Sequence, residues 1–215
     1  FPNSNKRYSG QTCWRGIADI QLEEQYKHRG YELWGNQIRF GISQVADGKV
    51  YWFAVVLAEE NSEENSDLVK ENLIKRFSDF HPLITTLISS TPINKILKND
   101  IHDLNPLNKW YKNNICLIGD AGHATTPNMG QGGAQAIEDA YYLSNIIEDN
   151  PNENIFELFQ KRRQKKVNSV VQQSWNTGKM AHWKYGKKAR NFLLQNVPKK
   201  IIEKKMIELY QIDAF

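Results

Sequence analysis

Between Ile118 and Ala140 the chain strings together residue types that can hold a polyhydroxylated, partly anionic ligand. Asp120 follows a short apolar run, Asn114-Ile115-Cys116-Leu117-Ile118, closed by Gly119. A carboxylate just past the end of a strand can accept hydrogen bonds from ligand hydroxyls. Pro127 and a glycine-rich turn, Met129-Gly130-Gln131-Gly132-Gly133, come next, and then a helical pattern begins. Glycines let backbone N–H groups approach a ligand closely. The first turn of a helix adds free donors and a partial positive charge, which favours an anionic group. The pattern suits a ligand with hydroxyls at one end and developing negative charge at the other. Gly130-Gln131-Gly132 is not the dinucleotide fingerprint G-x-G-x-x-G, because Gln135 stands where the third glycine belongs and the glycines follow a loop.

The surrounding elements must position this segment. Asn114–Ile118 reads as a strand buried on both faces. The helix after the loop spans about Gly132 to Glu148, with Ile137, Ala140, Tyr141, Ser144 and Ile147 as its recurring face, and Asn150-Pro151-Asn152 stops it. Upstream, Tyr8–Ile17 reads as a strand with Thr12, Trp14 and Gly16 on one face and Cys13, Arg15 and Ile17 on the other. Tyr31–Ser43 and Lys49–Ala58 are two more strands, joined through an Asp47-Gly48 hairpin turn. Ser66-Asp67 opens a helix with Ser66 as its cap, and Pro82 begins a second one ending near Ser89-Ser90. Residues 92–103 return to extended structure with Ile93, Ile96 and Ile101 as core positions, and the chain beyond residue 151 is helical, broken near Gly178, Gly186 and Pro198. The fold class expected is α+β. Its parts are a β-sheet domain with two helices over residues 1–100, a strand-loop-helix segment over 101–150 and a helical region over 151–215.

Composition sets limits on function. The 215 residues are 40% hydrophobic and 24% charged, which is the profile of a globular chain with a real core. The apolar run Tyr51–Ala58 is too short to span a bilayer, and no signal peptide is evident. Cys13 and Cys116 have no metal-ligand spacing and read as buried thiols, consistent with a cytoplasmic location. The basic run Lys161-Arg162-Arg163-Gln164-Lys165-Lys166 is better explained as a solvated helix face than as a nucleic-acid surface, because Phe156, Phe159, Val167, Val170 and Val171 supply an apolar stripe beside it. Hydrolase and zinc-enzyme motifs are missing: there is no G-x-S-x-G, H-E-x-x-H or paired C-x-x-C.

The string Gly119-Asp120-Ala121-Gly122-His123, Pro127, Gly130-Gln131-Gly132 and Asp139 resembles the second FAD motif of the FAD-dependent aromatic-hydroxylase-like (class A) flavoprotein monooxygenases, written G-D-A-A-H-x-x-x-P-x-x-G-Q-G-x-x-x-x-x-x-D. Gly122 replaces the second alanine. Tyr8-Ser9-Gly10, Trp14-Arg15-Gly16, Asp103, Pro106-Leu107, Trp110 and Phe159-Gln160-Lys161-Arg162-Arg163 are similar to the branch holding urate hydroxylases and zeaxanthin-epoxidase-like enzymes. The resemblance implies that Asp120 bonds the ribityl chain of FAD and that Pro127 lies beside the isoalloxazine. It further implies that the backbone of Met129, Gly130, Gln131, Gly132 and Gly133 faces the flavin N1 and C2 carbonyl. His123 is then a positioning residue, and no metal is expected.

The implied reaction is NAD(P)H-dependent: NAD(P)H binds transiently, O₂ adds to reduced FAD, and a C4a-hydroperoxide hydroxylates an aromatic or other unsaturated small molecule. The sheet of the first third becomes the substrate platform, with Arg39 and Tyr51, together with Pro127 at the ring, as candidate catalytic residues and Trp34, Trp52 and Phe53 as candidate pocket walls. An Arg suits an anionic or carbonyl-rich substrate. The family's N-terminal G-x-G-x-x-G segment is not in this sequence. This chain alone is therefore expected to be inactive, to hold FAD weakly, and to associate with that missing half or with itself. The alternative is a redox-inactive binding or scaffold module that keeps the fold; a flavin halogenase is disfavoured because no W-x-W-x-I-P string occurs.

Overall fold

The structure is a computed structural model that describes residues 5–149 and 154–212. The architecture is α+β and divides into two compact units. One holds residues 10–101 and 181–184; the other holds the remainder.

Five strands run side by side in the order β2-β3-β4-β1-β5: β1 (Lys6–Asp19), β2 (Tyr31–Trp34), β3 (Ile38–Ala46), β4 (Lys49–Leu57) and β5 (Leu97–Leu104). Alternation of side chains decides what each face does. Trp14 and Ala18 of β1, Phe40 and Ile42 of β3, and Val50, Trp52, Ala54 and Val56 of β4 turn one way into the core. Helices α1 (Val69–Arg76) and α2 (Pro82–Ser90) contribute Leu73, Ile84, Leu87 and Ile88 to that core, and Phe77 at the end of α1 joins them. The Asp47-Gly48 turn joins β3 to β4 with Gly48 at φ 64°, as the hairpin motif requires.

Several details differ from the sequence reading, among them Ile93, which is exposed in a 3-10 turn instead of buried in a strand. Trp52 is no pocket wall: it is fully buried on the helix side, stacked on Phe40 at 5.5 Å, with its Nε1 donating to Thr91 Oγ1 at 2.8 Å. The expected single strand Tyr31–Ser43 is two strands, β2 and β3, folded back at Gly35-Asn36-Gln37, where Gln37 takes φ 60° and the Gly35 N–H donates to Ile38 O at 2.8 Å. The cap ahead of α1 is Asn65, whose side chain accepts from the Asp67 N–H at 2.9 Å; Ser66 already lies inside a short 3-10 turn. An Asn two residues back makes the same bond that a Ser cap would.

The other unit holds a two-residue ribbon, β6 (Tyr111–Lys112) with β7 (Ile115–Cys116), then α3 (Asp120–His123), α4 (Gly132–Asp149), α5 (Ile155–Ala181), α6 (Lys187–Gln195) and α7 (Lys199–Tyr210). Its core joins Leu107, Trp110, Tyr142, Ile146, Phe159, Val167 and Val171. The strand expected to be buried on both faces is only Ile115–Cys116; Ile115 is 61% exposed and Ile118 40%. An apolar run is buried only if strands flank it, and among the described residues β7 pairs with β6 alone. The face expected to anchor α4 also turns outward, with Ile137 74% exposed. Its buried face is Gln135, Glu138, Asp139, Tyr142 and Ile146. That face repeats at helical spacing too, but its first half is polar, and Gln135, Glu138 and Asp139 find their partner, Arg163, on α5.

Candidate functional site

Gly119 begins the site. It takes φ 55° and ψ −141°, a region hostile to side chains, and its N–H donates to Asp139 Oδ2 at 2.9 Å. From there α3 makes one turn, with the Gly122 and His123 N–H groups both donating to Gly119 O. Asp120 is exposed at the start of this turn. Its Oδ1 lies 3.8 Å from where a Cβ on Gly132 would stand, and Thr125 Cγ2 lies 3.5 Å from the same point. The carboxylate and the first turn of α4 therefore border one small space.

The loop between them is held from behind. Thr126 Oγ1 and Ser174 Oγ are 2.8 Å apart, Ser174 Oγ donates to Thr126 O at 2.6 Å, and Asn128 Nδ2 donates to Ser174 O at 3.0 Å. Pro127 opens a single 3-10 turn, Pro127–Met129, which Gly130 ends at φ 63°. A Cβ at Gly130 or Gly133 would meet nothing within 4 Å, so the backbone there is open to an approaching ligand. Gln131 is buried; its Nε2 donates to Tyr210 Oη at 3.2 Å, while its Oε1 has no hydrogen bond among the described residues.

Behind the loop lies a buried charged cluster; sequence reasoning named His123, Asp139 and Arg163 in the family resemblance but not that they meet. Asp139 Oδ2 accepts from His123 Nε2 at 2.6 Å, and Asp139 Oδ1 accepts from Arg163 Nε at 2.9 Å. The same guanidinium donates to Glu138 Oε2 at 2.5 Å and to Gln135 Oε1 at 2.9 Å, and Lys166 Nζ reaches Glu138 at 2.9 Å. Burial alone would raise the Asp139 carboxyl, but bonds from His123, the Gly119 amide and Arg163 outweigh it and hold the group below its ordinary value. Asp139 thus ties strand end, α3 and α5 together and fixes the direction in which Asp120 leaves the strand. The sequence signal was present: Glu138-Asp139 sits on a helix 24 residues before an Arg in a basic run, but spacing alone did not mark that Arg as buried.

Arg39 and Tyr51 stand on the sheet face away from α1 and α2. In register Arg39 faces Val55 and Ser43 faces Tyr51, so the two candidates share a face but lie four residues apart, about 13 Å along the strands. Arg39 is buried, with Nη1 donating to Glu32 Oε1 at 3.0 Å and its guanidinium 5.9 Å from the Phe53 ring. Tyr51 is half-buried, and burial pushes its hydroxyl pKa up, with Cys13 adding to the shift.

Residues 18–174 match the family model described as FAD binding domain. The chain belongs to this family of FAD-binding domains. It is 38% identical over 178 residues to the aurachin C monooxygenase/isomerase of Stigmatella aurantiaca, covering 82% of this chain and 46% of that relative. It is 32% identical over 203 residues to the 2-heptyl-3-hydroxy-4(1H)-quinolone synthase of Pseudomonas aeruginosa, covering 92% and 52%. The chain spans about half the length of these relatives. Klebsiella pneumoniae HpxO, solved with FAD and uric acid, shares the fold with a TM-score of 0.82 at 24% identity, covering 94% of this chain and 53% of that one.

The FAD-binding family's ligand fits the geometry just described. Asp120 offers an acceptor, the α4 start offers donors, Gly130 and Gly133 leave the backbone bare, and Gln131 Oε1 is a buried acceptor awaiting a donor. No helix among the described residues is long and apolar enough to cross a membrane.

Proposed function

We propose that this FAD-binding chain supplies the ribityl- and ring-facing part of the flavin site, and the substrate sheet, of an NAD(P)H-dependent monooxygenase acting on an aromatic or other unsaturated small molecule. The observation that carries the reading is the Asp120 carboxylate beside Gly132 at the tip of α4. FAD, when bound, supplies electron transfer from NAD(P)H and the activation of O₂.

This chain's residues bind and orient. Asp120 accepts from a ribityl hydroxyl. The amides of Gly132, Gly133 and Ala134 belong to the first turn of α4, where they lack intrahelical partners, and they face the ring edge that becomes negative on reduction. Pro127 fixes the entry of the loop at the ring, and the Thr126–Ser174–Asn128 bonds keep it from drifting. Asp139 and His123 hold the Gly119-Asp120 turn from behind. The relatives' names, a quinolone synthase and an aurachin monooxygenase/isomerase, and the uric acid bound to HpxO support a small unsaturated heterocycle as substrate.

The test is NAD(P)H oxidation and O₂ uptake by the FAD-loaded chain completed with the nucleotide-binding half expected above, and by the same assembly carrying Asp120→Ala. The parent should retain flavin and consume both co-substrates, and Asp120→Ala should lose flavin. Flavin retention equal in the two proteins would remove the basis of the proposal.

A further inference from the structure

The sheet face that carries Arg39 also carries a carboxylate the reading above leaves unused. Hairpin β2–β3 places Trp34 opposite Arg39 and Glu32 opposite Gly41. Side chains opposite one another share a face, and diagonal neighbours on that face are within reach of long side chains. Glu32 Oε1 accepts from Arg39 Nη1 at 3.0 Å and from Trp34 Nε1 at 2.7 Å. The Arg39 side chain is 2% exposed, whereas the Glu32 side chain is 32% exposed. Among the described residues Glu32 Oε2 makes no hydrogen bond. Next to it Gly41 has no side chain, and the Phe53 ring occupies that gap: a Cβ on Gly41 would lie 2.1 Å from two ring carbons.

Arg39 is the buried member of the pair, and Glu32 is its exposed member. The two charges cancel locally. Arg15 is another cation on this face, but it stands on β1, three strands from β2, about 14 Å at ordinary strand spacing. An anionic ligand near Glu32 meets a carboxylate rather than a free guanidinium. A neutral ring with an N–H donor can lie beside Phe53 and Trp34 and give its hydrogen to Glu32 Oε2.

We infer that Glu32 is the specificity-determining residue of the substrate sheet: held by Arg39 and Trp34, its carboxylate accepts a hydrogen bond from a neutral heteroaromatic substrate bearing a ring N–H. This inference rests on the monooxygenase reading for its meaning, but its measurement does not. A hydrogen bond to a charged group that is lost on N-methylation is worth roughly a ten- to hundredfold change in affinity.

The experiment titrates the purified protein with 4(1H)-quinolone, its N-methyl derivative and quinoline-4-carboxylate, following ligand fluorescence. FAD content and NAD(P)H oxidation are measured on the same protein completed with the nucleotide-binding half. The parent should bind the N–H ligand at least about tenfold more tightly than either of the others. In Glu32→Gln the gap to the N-methyl ligand should shrink below about threefold. Equal binding of the N–H and N-methyl ligands by the parent overturns the inference, and that comparison stands even if the variant fails to fold. Loss of discrimination in a protein that holds FAD and oxidises NAD(P)H refutes the role of Glu32 alone. Discrimination in a protein that does neither even when so completed refutes the monooxygenase reading and leaves Glu32 in place.

Discussion

Asp120 Oδ1 stands 3.8 Å from the Cβ position of Gly132, although twelve residues and a proline-containing loop separate them in the chain. A methyl group at Gly132 would meet only ordinary contacts, at 3.5 Å from Thr125 and 3.8 Å from Asp120, while filling the space in front of the carboxylate. Gly132→Ala should therefore leave thermal stability within about 0.5 kcal/mol of the parent. Retained flavin, read from absorbance after gel filtration, should fall.

Gly119 should respond in the opposite way. Its φ of 55° opposes any side chain, and an added Cβ would lie 3.1 Å from Ala136 Cβ. Gly119→Ala is expected to cost about 1–3 kcal/mol in denaturant unfolding, with flavin loss following as the turn shifts. A variant as stable as the parent would show that the turn tolerates a side chain at this φ.

Removal of Arg163 strands two carboxylates. Its guanidinium serves both Glu138 and Asp139, and all three side chains are almost wholly buried. Arg163→Met should destabilise by about 3–5 kcal/mol, since the cost of breaking a buried pair is that of the charge left behind. Lys166→Ala, which removes a partly exposed cation from the same cluster, should cost under about 1 kcal/mol. Chemical denaturation of both variants separates the two.

Acid should act on the same cluster. The folded-state pKa of Asp139 is depressed, so its contribution to stability is complete above the unfolded value, near 4, and is lost as pH falls through the lower folded value. The unfolding midpoint should decline below about pH 4. Asp139→Asn should remove this component of the decline.

Phe53 and Gly41 should be coupled. Gly41→Ala forces the Phe53 ring away and is expected to cost about 1–3 kcal/mol. In a Phe53→Ala background the same change should cost less than about 0.5 kcal/mol, a non-additivity that a double-mutant cycle reads directly.

The chemistry-bearing string was legible in one dimension because its parts are local. An acid after an apolar run, a proline, three glycines and a helix start sit within 14 residues, and the loop closes on itself whatever surrounds it. Side-chain alternation likewise assigned Trp14 and Gly16 to one face of β1 and Cys13 and Arg15 to the other, because a strand has only two sides.

What tertiary structure decided were relations between segments. The apolar stripe of α4 pointed sequence reasoning to the wrong face, since Arg163 on α5 makes a polar face burial-competent. Arg39 looked like a substrate-seeking cation, and in one continuous strand Glu32, seven residues away, would lie on the opposite side. The turn at Gly35-Asn36-Gln37 reverses the chain, brings Glu32 onto the same face and makes it the partner of Arg39. Which of two charges is buried and which is exposed depends on neighbours that only folding supplies.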